Sequence, residues 1–366
     1  MNPCVIGIRT VPILNGIVAL AFLKLNKNTR IPLLLSAPLI SLISLSALLW
    51  LRENALEKIN PNVEKFGILG ISIMAEDIRD KPTLSPQDIH GLNFIRVPGT
   101  YIYRRHYRAG LRSHIMEVLD PRDVARENKG VVIEGMKYFP RAKPLKMLRL
   151  FRTKFHSLQQ AHEELGRVKI IEAYLAPEHL ALSNEFLVDY QRNGTYEILL
   201  CGLQEYVEGE ILDPWQNLDE DHLVFLWSRL GRVGDDFSRL EITPWIEMVR
   251  SRIRAFIEKT KKMIQEVRFI PDLAGVGNLL ITPSGNLKIV DINNISSVYF
   301  DSEIRIDDRG YPVCDKSVEA LFRIEQQLLG EKKPGEDSLF GMFFEPDRME
   351  RVRAIEETFH TSMAPV

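Results

Sequence analysis

Residues 271–295 read PDLAGVGNLLITPSGNLKIVDINNI, and the rest of the chain is organised around this stretch. Leu279-Leu280-Ile281-Thr282 has the apolar character of a short strand, Pro283-Ser284-Gly285-Asn286 that of a turn, and Leu287-Lys288-Ile289-Val290 that of a second strand. Gly285 stands where a turn wants a positive φ. A hairpin built this way brings Asn278, at the entry of the first strand, close to Asp291, at the exit of the second. An amide oxygen and a carboxylate meeting at strand ends offer a hard-oxygen site of the kind Mg²⁺ uses, with water and phosphate completing the shell. Asp272, upstream in the same loop, is placed to orient a hydroxyl or a water. A solvated β-hairpin with turn polars is the plainer alternative.

The stretch resembles the catalytic and metal-binding segment of the protein-kinase-like superfamily. In that family a loop Asp orients the acceptor, a loop Asn holds a metal, and the Asp of a DFG motif holds metal on the triphosphate. The resemblance assigns Asp272 the acceptor-orienting role and Asn278 and Asp291 the metal. It implies ATP and Mg²⁺ as cofactors. Three departures accompany it: Ile270-Pro271-Asp272 stands for His-Arg-Asp, one residue more than usual separates Asp272 from Asn278, and Asp291-Ile292-Asn293 stands for Asp-Phe-Gly.

Upstream, three strands are expected at 94–97, 113–119 and 131–139, separated by Pro98-Gly99, Asp120-Pro121 and Pro140. Arg104, Arg105, Arg108 and Arg112, interleaved with Tyr101, Tyr103 and Tyr107, make a basic run. It suits a solvated hairpin face or contact with an anionic group. Under the resemblance it covers the nucleotide, with arginines in place of a Gly-rich loop. Strand alternation puts Lys137 on the same face as Val131, Ile133 and Gly135. The resemblance then implies that Lys137 meets the α- and β-phosphates, with Lys129 the weaker alternative. A helix is expected over 154–174, with Ala161, Leu165, Val168 and Ile171 at helical spacing. Glu164 lies at the edge of that stripe and is the expected ion-pair partner of Lys137, with Glu163 one residue away. Strands at 185–191 and 196–203 meet at Arg192-Asn193-Gly194, and the second runs into Gln204-Glu205-Tyr206-Val207. This segment resembles a kinase hinge, whose backbone, here at Glu205 and Val207, meets the adenine. Helices are expected over 219–230, 244–267, 317–329 and 345–361.

The composition bounds the rest. In 366 residues with 45% apolar content there is room for a sizeable core, and a formal net charge of −2 argues against a partner bound through bulk charge, such as nucleic acid. Cys4, Cys201 and Cys314 lie far apart, so neither a zinc site nor a disulfide framework is expected. Residues 31–51, IPLLLSAPLISLISLSALLWL, carry no charge over 21 positions and are long enough for a transmembrane helix. Residues 11–23 are apolar but short, fitting a second span, an interfacial helix or a signal-like lead.

The resulting expectation is an α+β chain, a two-lobed protein-kinase-like fold preceded by one or two transmembrane helices. Its parts are a membrane anchor (1–52), a connector (53–90), an N-lobe (91–209), a small helical C-lobe (210–330) and a tail helix (331–366). The partners expected are a membrane of the bacterial inner-membrane type, a nucleotide and an unidentified phosphate acceptor, with the C-terminal domain cytoplasmic. The basic residues Lys24, Lys27 and Arg30 before the long span point to the opposite orientation. Three functions fit: an ATP-dependent phosphotransferase, a catalytically inactive pseudokinase acting as a binding or scaffold module, or an ATP-grasp ligase using Asp291 and Asn293.

Overall fold

The computed structural model describes three strands between residues 7 and 35, and residues 76–363 apart from 109, 111, 193, 232–240, 293 and 331–339. The chain divides into two units, Met1–Ile73 and Met74–Val366. In the first, β1 (Gly7–Ile13), β2 (Gly16–Asn26) and β3 (Thr29–Leu35) form an antiparallel sheet in that order. Ile13 pairs with Gly16, which makes the β1–β2 connection a two-residue hairpin.

This corrects the expected transmembrane helices. The apolar run 11–23 is divided between β1 and β2, and the run 31–51 begins on β3, where Leu33 pairs with Ala21. Residues 36–51 lie outside the described residues. Among the described residues no helix is long and apolar enough to cross a membrane. An uninterrupted apolar run satisfies a buried strand as well as a helix, and periodicity alone does not separate the two.

The second unit is built on a five-stranded antiparallel sheet. After a short helix α1 (Pro86–His90) come β4 (Ile102–Arg105), β5 (Ser113–Leu119), helix α2 (Pro121–Lys129), the two-stranded ribbon β6 (Val131–Ile133) and β7 (Met136–Tyr138), and β8 (Lys146–Phe151). Helix α3 (Leu158–Leu175) and the hairpin β9 (Ser183–Arg192) and β10 (Thr195–Glu205) follow. The sheet order is β4-β5-β8-β10-β9. One face packs Met116, Val118, Leu148, Leu150, Leu199 and Cys201 into an apolar cluster with Ile89 and Tyr103. The alternate residues, Arg149 opposite Gly202 and Gly202 opposite Glu185, share the other face.

Two expected strands are therefore different. Residues 94–97 form no strand, and 131–139 is a ribbon turned by Glu134 (φ 51°) and Gly135 (φ 81°), both on the positive side that a type I′ turn requires. Strand β8, which enters the sheet between β5 and β10, was not expected at all.

The remainder is mostly helical. Short β11 (Glu210–Ile211) leads to α4 (Glu220–Leu230) and the 26-residue α5 (Ile242–Val267). Trp245, Val249, Ile253, Phe256, Ile257 and Ile264 recur at three- and four-residue steps on α5 and are buried, so one stripe of this helix forms the second core. Next are β12 (Phe269–Pro271), β13 (Leu279–Ile281), β14 (Leu287–Ile289) and β15 (Ile295–Ser297), then α6 (Val313–Leu329) and the tail helix α7 (Pro346–Met363). Strands β11-β13-β14 make one small sheet and β12-β15 another.

The tail helix is anchored by charge. Arg348 on α7 and Asp315 on α6 are both buried, with Nε to Oδ1 at 2.6 Å, and Arg348 also donates to the Glu303 carbonyl at 3.2 Å. Removing one partner strands the other in a poorly solvated place. Arg348→Ala is expected to destabilise the protein by about 3–5 kcal/mol in denaturant unfolding, and Arg348→Met by less, because the apolar stem still packs. Equal losses for the two variants would show that the ion pair, and not the packing of the stem, carries the whole effect.

Candidate functional site

The loop after β12 is shaped by its own side chains. Asp272 Oδ1 accepts the backbone N–H groups of Ala274 and Gly275, each at 3.0 Å, closing an Asx-type turn. The Asp272 N–H donates to the Asn294 carbonyl at 2.9 Å. Asn278 folds back so that Nδ2 donates to the Asp272 carbonyl at 2.9 Å. A side chain at Gly275 has no room here: a Cβ would stand 2.4 Å from Asn278 Nδ2.

The expected hairpin is present. Leu279 pairs with Ile289 and Ile281 with Leu287, with Gly285 at φ 78° in the turn. The Val290 N–H donates to the Asn278 carbonyl at 2.8 Å, which extends the ladder by one bond and sets Asp291 beside Asn278. Asp272, Asn278 and Asp291 line one cavity of about 490 Å³, together with Trp215, Asn294, Asp307, Tyr311, Arg112 and Arg309. Glu356, Phe359 and His360 of α7 complete its wall.

Burial, and next to it the neighbouring Asp291 carboxylate, raise the Asp272 pKa from 3.8 to about 6. Burial also pushes the Tyr311 hydroxyl far up, helped by Glu356, whose Oε1 accepts its hydrogen bond at 2.9 Å.

The residue that reasoning from sequence missed is Arg149. It is buried at the centre of β8, and its Nη2 stands 2.7 Å from Asp291 Oδ1. Nη1 donates to the Val290 carbonyl at 3.1 Å and Nη2 to Ser113 Oγ at 3.4 Å. One guanidinium thus ties the sheet to the exit of the hairpin. The signal was available in Lys146-Met147-Leu148-Arg149-Leu150-Phe151: an Arg between leucines on a strand is buried only with a partner.

Lys137 lies on the ribbon and not among the residues that line the cavity. It is exposed on β7, paired across the ribbon with Val132, with its Nζ 5.2 Å from the Phe139 ring centroid. Lys129 is exposed at the end of α2. Glu164 is half-buried, and burial raises its pKa, but its ion-pair partner is Arg167, one turn along α3, at 3.1 Å. The expected Lys137–Glu164 pair is not formed: Glu164 pairs with Arg167, and the third strand of the sheet is β8, not the ribbon that carries Lys137.

Glu205 ends β10, and its carboxylate pairs with Lys288 Nζ at 2.6 Å. Residues 206–209 then cross to β11, where Glu210 pairs with Ile281 of the hairpin. Gly209 is required at that crossing, since a Cβ would meet the Ile281 carbonyl oxygen at 2.6 Å. Glu205 and half-buried Val207 lie on this connection and not among the residues lining the cavity. Of the basic run, Arg104 pairs with Glu117 and Glu127, whereas Arg108 donates to the Gly277 carbonyl at 3.2 Å and Arg112 pairs with Asp307 at 2.8 Å and with Asp308. Arg108 thus reaches the loop that carries Asn278, and Arg112 the turn at Asp307.

Among the described residues no group of three or more His, Cys, Asp or Glu side chains converges to hold a metal. Asn278 and Asp291 supply two hard-oxygen donors, a set that fits Mg²⁺ only with phosphate and water as the other ligands. No protein-family model matches the chain, and no curated protein matches it.

Because Asn278 occupies the space a methyl would need, Gly275→Ala is expected to cost about 1–3 kcal/mol of stability and to displace the Asn278 amide. Amide hydrogen exchange at Val290, whose bond to Asn278 depends on this loop, should accelerate. Unchanged exchange there would show that the loop absorbs the methyl elsewhere.

Proposed function

We propose that this protein is an atypical kinase-like protein that binds Mg-ATP in the cavity beneath β5 and transfers its γ-phosphoryl group to a small hydroxyl-bearing acceptor. The observation that carries this reading is the convergence of Asp272, Asn278 and Asp291 on one cavity with arginines from the opposite wall. The element order agrees with it: strands, one helix, two strands, then a mostly helical half. Arg149 stands on the third strand of the sheet, where the kinase resemblance implies a lysine. Its guanidinium is taken up by Asp291, the Val290 carbonyl and Ser113, so in this reading it positions Asp291 and does not itself meet phosphate.

In this reading Asn278 and Asp291 would hold Mg²⁺, which would supply charge neutralisation for the phosphates when bound. Asp272 accepts the acceptor's hydroxyl proton as the new O–P bond forms and the bond from phosphorus to the ADP oxygen breaks. Arg112 and Arg309 line the same cavity and would meet the triphosphate as cations. The wall made by Glu356, Phe359 and His360 keeps the cavity to small-molecule dimensions, which disfavours an extended polypeptide as acceptor.

One observation favours the alternative of a pseudokinase acting as a binding module. Asp291 is held by the buried Arg149 guanidinium, and a metal must compete with that pair. The ATP-grasp ligase reading rests on Asp291 with Asn293, and Asn293 lies outside the described residues.

Mg-dependent ATP binding to the full chain tests the proposal. Wild type should bind, and Asp291→Ala and Asn278→Ala should each weaken binding at least about tenfold, the scale of one lost charged or metal contact. No binding by folded wild type contradicts both the kinase-like and the ligase readings. Binding without transfer of label to any protein, lipid or small acceptor favours the pseudokinase. Intact binding in Asn278→Ala with loss in Asp291→Ala favours the ligase.

The pH dependence has two signs. As a base, Asp272 acts only when ionised, so transfer should fall as pH drops through about 6. For stability, the folded carboxyl keeps its proton to higher pH than its unfolded value of 3.8, so the protein loses stability as pH rises from 3.8 to about 6. Asp272→Asn should abolish the activity and also flatten this part of the thermal-unfolding profile. A profile unchanged by the substitution would remove Asp272 as the group responsible.

A further inference from the structure

The ribbon β6–β7 takes no part in the cavity. It follows α2, which has no buried residue, and its two strands pair only with each other. Val132 and Met136 are 71% and 72% exposed, and Ile133, Tyr138 and Phe139 are each more than half exposed. Cross-strand pairing puts Ile133 beside Met136 and Val131 beside Tyr138 on one face, with Val132 opposite Lys137 on the other. The ribbon thus presents apolar side chains on both faces, with Ile133 and Met136 flanking the Glu134-Gly135 turn at its tip. An exposed apolar cluster of this kind marks a surface that is covered in use.

The charge around it indicates by what. Residues 129–146 contain five basic side chains, Lys129, Lys137, Arg141, Lys143 and Lys146, and one acidic, Glu134. This contrasts with a formal net charge of −2 for the whole chain. Lys129, Lys137, Lys143 and Lys146 are exposed at the base and flanks of the ribbon. Aliphatic side chains beside the tip, aromatic rings further back and most of the lysines at the base follow the order in which a bilayer interface changes from acyl chain to headgroup.

We infer that the β6–β7 ribbon is a docking element for the surface of an anionic phospholipid bilayer. Ile133 and Met136 enter the acyl boundary, Tyr138 and Phe139 sit at headgroup level, and the lysines meet the phosphates. Another protein offering an acidic-rimmed apolar groove is the competing occupant, but it would not give the lipid dependence described next. The inference is independent of the nucleotide site and of any spanning segment.

The test uses the full chain carrying Met136→Cys in a Cys4→Ser background, since Cys201 and Cys314 are buried. An environment-sensitive fluorophore on the new thiol is mixed with vesicles of phosphatidylcholine, with and without phosphatidylglycerol. The expected result is a blue shift, with quenching by a nitroxide lipid, on the anionic vesicles alone. Salt at about 1 M, where the screening length is about 3 Å, should lower the apparent affinity at least tenfold. The same label at Tyr196→Cys, on exposed Tyr196 beside the β9–β10 turn, should not shift. No shift at position 136, or equal shifts on both vesicle types, would overturn the inference. Equal shifts at 136 and 196 would also overturn it, because they report adsorption of the whole chain.

Discussion

Arg149 is the residue on which the arrangement of the second unit turns. It lies in the middle strand of a five-stranded sheet, buried, with its guanidinium directed to Asp291 and the Val290 carbonyl at the exit of the β13–β14 hairpin. A guanidinium cannot discharge itself by losing a proton, so its burial fixes where a carboxylate must be. The pair couples the two apolar cores, one on the far face of the sheet and one around α5. Gly202 stands opposite Arg149 on β10. The cavity lies where these parts meet.

Around that tie the loop 272–278 holds itself. Asp272 caps two backbone N–H groups and Asn278 closes the loop over Gly275, so both side chains are positioned by short-range bonds. Their positions require no ligand. The tail helix closes the opposite side: Glu356 receives the Tyr311 hydroxyl and pairs with Lys316, while Arg348 anchors the start of the helix. A wall delivered by the last element of the chain makes cavity size depend on α7, and the α6–α7 ion pairs set how firmly it is held.

The parts of this account legible in the sequence were those set by local chemistry. The hairpin was readable because Pro283-Ser284-Gly285-Asn286 is a turn between apolar runs, and the alignment of Asn278 with Asp291 followed from pairing. Helix α3 and the hairpin β9–β10 were readable for the same reason, whereas α2 and β8 were not expected. The identity of the third sheet strand was not readable. Val131–Phe139 looks like one strand until Glu134 and Gly135 take positive φ, and nothing in nine apolar-rich residues announces that choice. Lys137 was assigned to the site on that misreading, and Arg149 was passed over because its strand is six residues long and begins after Pro144. The uncharged run at 31–51 shows the same ambiguity from the other side, since its first residues pair as a strand.

The central claim, that Arg149 and Asp291 hold the sheet and the hairpin together, is tested most directly by a double-mutant cycle. Arg149→Met, Asp291→Asn and the double variant would be compared by denaturant unfolding of the full chain. The account predicts strong coupling, with the double variant more stable than the sum of the single losses implies by at least about 1 kcal/mol, the scale expected for side chains in contact. Single losses that add within about 0.3 kcal/mol would contradict it and leave the hairpin to be positioned by its backbone alone.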